Sequence, residues 1–320
     1  MNDETHFLRN LAFFLIFLIL FALFITKLFY AYDELNILKK AIKENNTILY
    51  FGDSVIESID DKDDDNRTLG QFLNFYLNDS YNLVEISYGA YTITIFDAFS
   101  EYLCNSKEKP QYVIIPINLR SFSPEWDSRP EYQFKSEINR LRNNDNLFLN
   151  LWHRFYNLFS DSAYQEHKNW YEIDVYNYDK KIGKVKDFDY IIKGDETNLE
   201  ELRKNKFIYE YMYNLNYTHR KIISLNNTLS NFNKCNISTI VYITPIDYKK
   251  GTYYLGEIFY TIVNKNKKII FEIGKNNNIN IIDASFDLSS DNFSYGYTPN
   301  EHLKQKGRSY LAKRISRYIN

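Results

Sequence analysis

The sequence carries almost no net charge. Thirty-nine lysines and arginines face 41 aspartates and glutamates, a formal charge of −2. That excludes the strongly basic footprint of a nucleic-acid binder, and no nucleic-acid partner is expected. Cysteine is scarce: Cys104 and Cys235 are the two present, too few for a disulfide framework and without metal-ligand spacing. Whether they pair with each other is left open by the sequence. Histidine is sparse too. His153, His167 and His219 stand among tyrosines and asparagines with no spaced carboxylate or second histidine, so they read as surface or packing residues, and His6 needs no special role. No metal and no cofactor is expected. The acidic run Asp60 to Asp65, broken by Lys62, lacks the glycine and distal glutamate of a calcium loop and reads as a solvated loop. No internal repeat is present. What the chain does have is apolar and aromatic residues, 44% and 18% of 320, enough for a large core. Much of the aromatic content is tyrosine, whose ring packs while its hydroxyl reaches water or a sugar.

One apolar run is nearly unbroken, from Leu11 to Thr26. A helix from about Phe7 to Tyr30 is long enough to cross a bilayer, for which roughly 20 residues suffice. Lys27 can snorkel to the headgroups, and Tyr30 and Tyr32 suit the interface. A cleaved signal peptide is the rival reading, and the absence of a small-x-small site after the run argues against it. A buried soluble helix would need a polar face that is absent. Residues 1–32 are therefore expected to form a tail and transmembrane anchor, 33–46 a connecting helix, and 47–320 one domain. The flanking charges do not decide orientation. Arg9 stands with Asp3 and Glu4 on one side, Lys27, Lys39, Lys40 and Lys43 on the other, which leans against export of the domain.

Beyond the anchor, β-favouring runs alternate with helical spacing. Strands are expected at Ile48–Phe51, Leu83–Ser87, Tyr112–Ile117, Thr239–Pro245 and Ile279–Asp283. Helices are expected around Leu69–Leu77, Ile95–Leu103, Leu147–Phe159, Ile208–Phe232 and Tyr254–Gly274. Leu303, Leu311 and Ile315 are expected on one face of a closing helix, with Lys313, Arg314 and Arg317 near its end, where the dipole favours them. This alternation predicts an α/β fold: a five-stranded parallel sheet covered on both faces. A long insertion, about 120–235, separates strands three and four.

Gly52-Asp53-Ser54 ends the first strand and opens a helix. Asp53 or Ser54 can simply cap that helix; alternatively, Ser54 can attack a carbonyl while nearby amides hold the oxyanion. Ligands of open parallel sheets bind at the carboxyl ends of the strands. Four residues lie at or after such ends: Ser54, Gly89, Asn118 and His302. Arg120, Ser121, Trp126 and Arg129 follow the third strand. They form either a substrate wall, with an aromatic for stacking on sugar, or loop packing around a buried tryptophan.

Gly-Asp-Ser after strand one, glycine after strand two, asparagine after strand three and a late His-Leu resemble the SGNH (GDSL-type) hydrolase superfamily over most of residues 48–320, the insertion apart. The resemblance implies a three-layer flavodoxin-like domain. It implies Ser54 as nucleophile, His302 as general base, and an oxyanion hole from the amides of Ser54 and Gly89 and the side chain of Asn118, with Asp53, Arg120, Ser121, Trp126 and Arg129 near the substrate. The sequence departs from the pattern in two places. Pro299 stands where Asp-x-x-His would put aspartate, leaving Glu301, Asp291 or a backbone carbonyl to orient the imidazole. The third block reads Pro116-Ile117-Asn118-Leu119 rather than Gly-x-Asn-Asp.

With its anchor, the chain is similar to the membrane-bound branches that modify polysaccharides or D-alanylate teichoic acids. The resemblance implies a bacterial serine esterase or O-acyltransferase outside the membrane, acting on an O-acetylated cell-envelope glycan or acylated sugar. A membrane-bound acyltransferase is the implied further partner. The missing aspartate points instead to a catalytically inactive relative that binds glycan or assists an assembly.

Overall fold

The computed structural model describes residues 2–29, 33–78, 80–143, 146, 149, 152, 162–193, 198–294 and 301–319. Tyr30, Tyr32, His153, Pro299 and most of the helix expected over Leu147–Phe159 lie outside them.

The N-terminal helix runs Asn2–Phe29. Within it Thr5–Phe24 has a mean hydropathy of 2.5 and none of the span is buried, so by length and composition this helix can cross a membrane. The following helix, Asp33–Ala41, is more than a connector. Leu35, Leu38, Ala41 and Ile42 are buried in the main core, and the hydroxyl of Thr47 ties the next strand back to the carbonyl of Ala41 at 3.0 Å.

Five parallel strands form the sheet: β1 (Thr47–Gly52), β2 (Asn82–Ser87), β3 (Tyr112–Ile117), β6 (Ser238–Ile243) and β7 (Ile281–Asp283), in the order β2-β1-β3-β6-β7. With the insertion's two strands left aside this is the 2-1-3-4-5 order of flavodoxin-like sheets, as expected. The strands are apolar on both faces because helices cover both. Leu49, Phe51, Val113, Ile115, Val241 and Ile243 face one cluster with the helices Asp33–Ala41, Ile93–Asn105, Arg220–Lys234 and Glu257–Asn276. The alternate residues Ile48, Tyr50, Ile114 and Tyr242 face the other, with Leu69–Tyr76 and Gln305–Ser316. Two buried tyrosines on that second face, Tyr50 and Tyr242, bond hydroxyl to hydroxyl at 2.6 Å, which satisfies groups that would otherwise be costly to bury.

Several boundaries differ from the pattern in the sequence. The long helix expected over Ile208–Phe232 is two, Leu199–Tyr211 and Arg220–Lys234, joined by a segment whose buried Met212, Tyr213 and Leu215 supply an apolar signal without being helical. The helix expected over Tyr254–Gly274 is likewise two, Tyr248–Leu255 and Glu257–Asn276, broken at Gly256, whose φ of +72° lies in the left-handed region. The insertion also holds an unexpected antiparallel hairpin, β4 (Asp174–Asn177) and β5 (Lys180–Lys184), packed with Trp170, Val185 and Tyr209 in a small core of its own.

The acidic run is not a freely solvated loop. Asp63 pairs at 2.8 Å with Arg308, whose side chain is fully buried. Arg308 also donates to the carbonyls of Asp65, Arg67 and Leu303. A charge this deep persists because each of its three guanidinium nitrogens meets an acceptor. The loop after Ser54 is thereby fastened to the segment that carries His302.

Candidate active site

β1 ends at Gly52, where a Cβ would stand 2.2 Å from Ile56 Cδ1. Only glycine lets the short helix Ser54–Glu57 fold back so closely on the strand. Asp53 caps that helix: its Oδ1 accepts from the Val55 amide at 2.8 Å. Capping and nucleophile are therefore not competing readings, since Asp53 caps and leaves Ser54 partly exposed at the sheet's carboxyl edge. There Ser54 Oγ lies 3.0 Å from His302 Nε2, across 248 residues of chain.

His302 is held from both sides along its backbone. Its carbonyl accepts from the Ser294 amide at 2.9 Å, and Phe293 and Leu303 form an antiparallel bridge. Burial and the nearby Arg120 charge push its pKa down to about 4, so the imidazole is neutral, and able to accept a proton, at ordinary pH.

Asn118 follows β3. Its Nδ2 donates to Asp53 Oδ2 at 3.1 Å and its Oδ1 accepts from the Arg120 amide at 3.0 Å. These two bonds fix the amide's orientation and leave the second hydrogen of Nδ2 for a ligand. Asp53 is buried and spends both oxygens inside the protein, so it is a scaffold for the turn rather than a group shown to substrate. Burial raises its pKa to about 6 against the opposing pull of Val55 N–H, Arg120 and Asn118. Gly89 follows β2, whose Ser87 pairs in register with Gly52. It is exposed, and a Cβ placed there would meet nothing within 4 Å.

The other expected site residues lie deeper. Arg120 is buried, 3.1 Å from Glu301 at Nε–Oε2, with its guanidinium carbon 4.6 Å from the Trp126 ring centre. Trp126 is itself only 8% exposed, and Ser121 donates to the carbonyl of Asn118 at 2.7 Å. Arg129 pairs with Glu125 and Glu131. Arg120, Ser121 and Trp126 are buried in the loop, while Arg129 is partly exposed. Glu301 does not turn to its neighbour: Oε1 accepts from the Tyr211 hydroxyl at 2.5 Å and Oε2 faces Arg120. Asp291 accepts from the Ser289 hydroxyl. His167 lies 3.2 Å from Glu131, and His219 caps the helix Arg220–Lys234. Among the described residues no group of three or more metal-ligating side chains assembles. Tyr211 and Arg308 were not legible as site supports: a buried tyrosine or arginine on an amphipathic helix looks like any other until its partner's position is known.

Fold and site together define an open α/β sheet with a serine–histidine pair at its carboxyl edge. No family model and no curated protein matches the sequence. Among solved structures 22 chains match it. Est24, a carbohydrate acetylesterase from Sinorhizobium meliloti, is 12% identical, with a TM-score of 0.39 over 86% of this chain and 98% of that one. A carbohydrate acetylesterase family member from the same organism is 7% identical, with a TM-score of 0.37 over 86% and 96% of the two chains. The native aryl esterase of M. smegmatis is 10% identical, with a TM-score of 0.35 over 86% and 98%.

Proposed function

We propose that this chain is a membrane-anchored, SGNH-type serine esterase or O-acyltransferase, acting on acyl esters of a cell-envelope carbohydrate. The 3.0 Å contact between Ser54 Oγ and His302 Nε2 carries the reading. Neutral His302 takes the Ser54 proton as Oγ attacks the ester carbonyl. The amides of Ser54 and Gly89 and Nδ2 of Asn118 receive the developing oxyanion. The imidazolium then returns its proton to the departing sugar oxygen, leaving an acyl-serine. Water, deprotonated by His302, releases the acid; a sugar hydroxyl in its place gives transfer.

The apolar N-terminal helix supports attachment to a membrane. A disulfide between Cys104 and Cys235 supports an oxidising, extracytoplasmic setting for the domain, where envelope glycan is at hand. A membrane-bound acyltransferase would supply acyl groups if transfer is the reaction.

A fluorophosphonate that traps nucleophilic serines tests the assignment. Labelling is expected in the parent protein and lost in Ser54→Ala and in His302→Ala; a label that survives Ser54→Ala overturns it. A glycan-binding protein without turnover is the second reading, favoured by the engagement of Glu301 away from His302. No labelling in a folded parent protein would support it.

A further inference from the structure

A second cleft, with a volume of about 380 Å³, opens between the insertion's hairpin and the loop after β3. That size suits a small-molecule or sugar ligand. Five aromatic rings line it: Phe122, Tyr176, Tyr178, Tyr213 and the imidazole of His219. Phe122 and Tyr213 are almost wholly buried and form its base, while Tyr176 is 41% exposed. Neither Ser54 nor His302 lines it.

The hairpin is irregular at both of its tyrosines. The register slips between Val175 and Tyr176, with Ile182 the extra residue on β5, so the kink of the bulged strand falls opposite Tyr176. Tyr178 takes the first place of a two-residue turn with φ +59°, a position where glycine is usual. The turn is pinned in that conformation. The Tyr178 amide donates to the Met212 carbonyl at 2.8 Å, and Lys265 Nζ lies 5.1 Å from the centre of its ring. An aromatic residue held against its own backbone preference, with its ring on a cleft, points to a ligand for that ring.

The polar groups narrow the ligand. Charges of both signs border the cleft, Asp127 and Asp179 in its lining and Lys265 and Arg220 bonded to lining residues, so no one sign selects the ligand. Its two carboxylates are already engaged. Asp127 Oδ1 accepts from Arg220 Nε at 2.7 Å and Asp179 Oδ1 from Asn214 Nδ2 at 2.6 Å. Asp127 is balanced by Arg220, while Asp179 keeps its charge beside Asn214, whose Oδ1 accepts from Lys265 Nζ at 3.2 Å; both carboxylates keep lone pairs for a hydroxyl. Flat rings flanked by carboxylate and amide oxygens suit the C–H face and hydroxyl edge of a pyranose.

We infer that this cleft is a second carbohydrate site, apart from the Ser54 centre, and that it holds one ring of a neutral glycan chain. It goes beyond the reading of Ser54 and does not need that serine to be a nucleophile.

Calorimetric titration of the full-length chain, in a detergent without sugar headgroups, tests it with three probes. These are N-acetylglucosamine hexamer, cellohexaose and the cationic glucosamine hexamer. A neutral hexamer is expected to bind with Kd below about 1 mM, and equally in Ser54→Ala. Tyr176→Ala and Tyr178→Asn should each weaken it about tenfold or more, leaving p-nitrophenyl acetate turnover unchanged. Asparagine is chosen because it tolerates the left-handed turn, and circular dichroism checks that both variants fold. Failure of both neutral hexamers to bind, binding that survives both substitutions, or a preference for the cationic hexamer overturns the inference. Loss of ester turnover in Ser54→Ala with binding intact separates this result from the fate of the proposed function.

Discussion

Arg120 Nε and Glu301 Oε2 lie 3.1 Å apart with both side chains shut away from water. Glu301 is the residue before His302, and Arg120 follows the strand that delivers Asn118. The pair thus ties the base-bearing segment to the far side of the nucleophile, and Tyr211 adds the insertion to the same knot through its 2.5 Å bond.

Glu301→Gln removes the charge that Arg120 was buried against. Leaving one member of a buried ion pair without its partner costs about 3–5 kcal/mol. Urea unfolding should show a loss of that order. Adding Arg120→Met to Glu301→Gln should restore most of it, because the stranded charge is then gone too. If Glu301→Gln unfolds like the parent protein, the pair does not fasten this segment.

The pH response of His302 has a definite sign. Its folded pKa of about 4 lies below the ordinary value of 6.5, through burial and Arg120. On the acid side kcat/KM should therefore hold down to about pH 5 and fall as His302 protonates near 4. Between about pH 4 and 6.5 the unfolded chain holds a proton that folded His302 does not, so acidification through that window destabilises the native state. Asp53 works the other way: its pKa is raised from 3.8 to about 6, so its folded form gains protons first. The comparison to make is thus relative. His302→Gln should gain on the parent protein by about 2–3 kcal/mol as pH falls from 6.5 to 4. A constant difference between the two unfolding curves would contradict the depressed pKa.

Cys104 and Cys235 are bonded across 131 residues, joining the helix Ile93–Asn105 to the end of Arg220–Lys234. Closing so long a loop restricts the unfolded chain, and Cys104→Ser with Cys235→Ser should lower stability by about 2–5 kcal/mol. Non-reducing intact mass of the purified chain checks the bond itself, and two free thiols there would remove the basis for this prediction.

Gly89 separates catalysis from folding. Its surroundings are open and its backbone is not left-handed, so Gly89→Ala should leave stability within about 0.5 kcal/mol of the parent protein. A methyl here would crowd an ester whose oxyanion is held by the Gly89 amide, so kcat/KM should drop at least about tenfold. Unchanged kcat/KM would take Gly89 out of the oxyanion hole.

Where the sequence misled, tertiary neighbours explain it. The acidic loop looked solvated because the buried arginine that claims Asp63 stands 245 residues later. Helix ends slipped at Gly256 and across residues 212–219, where apolar residues continue in period while the backbone turns. The hairpin β4–β5 was missed because its four- and five-residue strands are half polar and carry their turn on tyrosine rather than on glycine.

By itself the sequence determined the apolar N-terminal helix, five strands in parallel-sheet alternation, and four chemically apt residues at strand ends. Periodicity and turn chemistry are local, and local physics was enough for them. Only the tertiary structure decided that His302 reaches Ser54, that Glu301 faces Arg120 and Tyr211 instead, and that Trp126 and Arg120 are buried against each other. Those are facts about residues far apart in the chain, and their outcome is set by which partner each buried charge finds once the sheet and its insertion have closed around it.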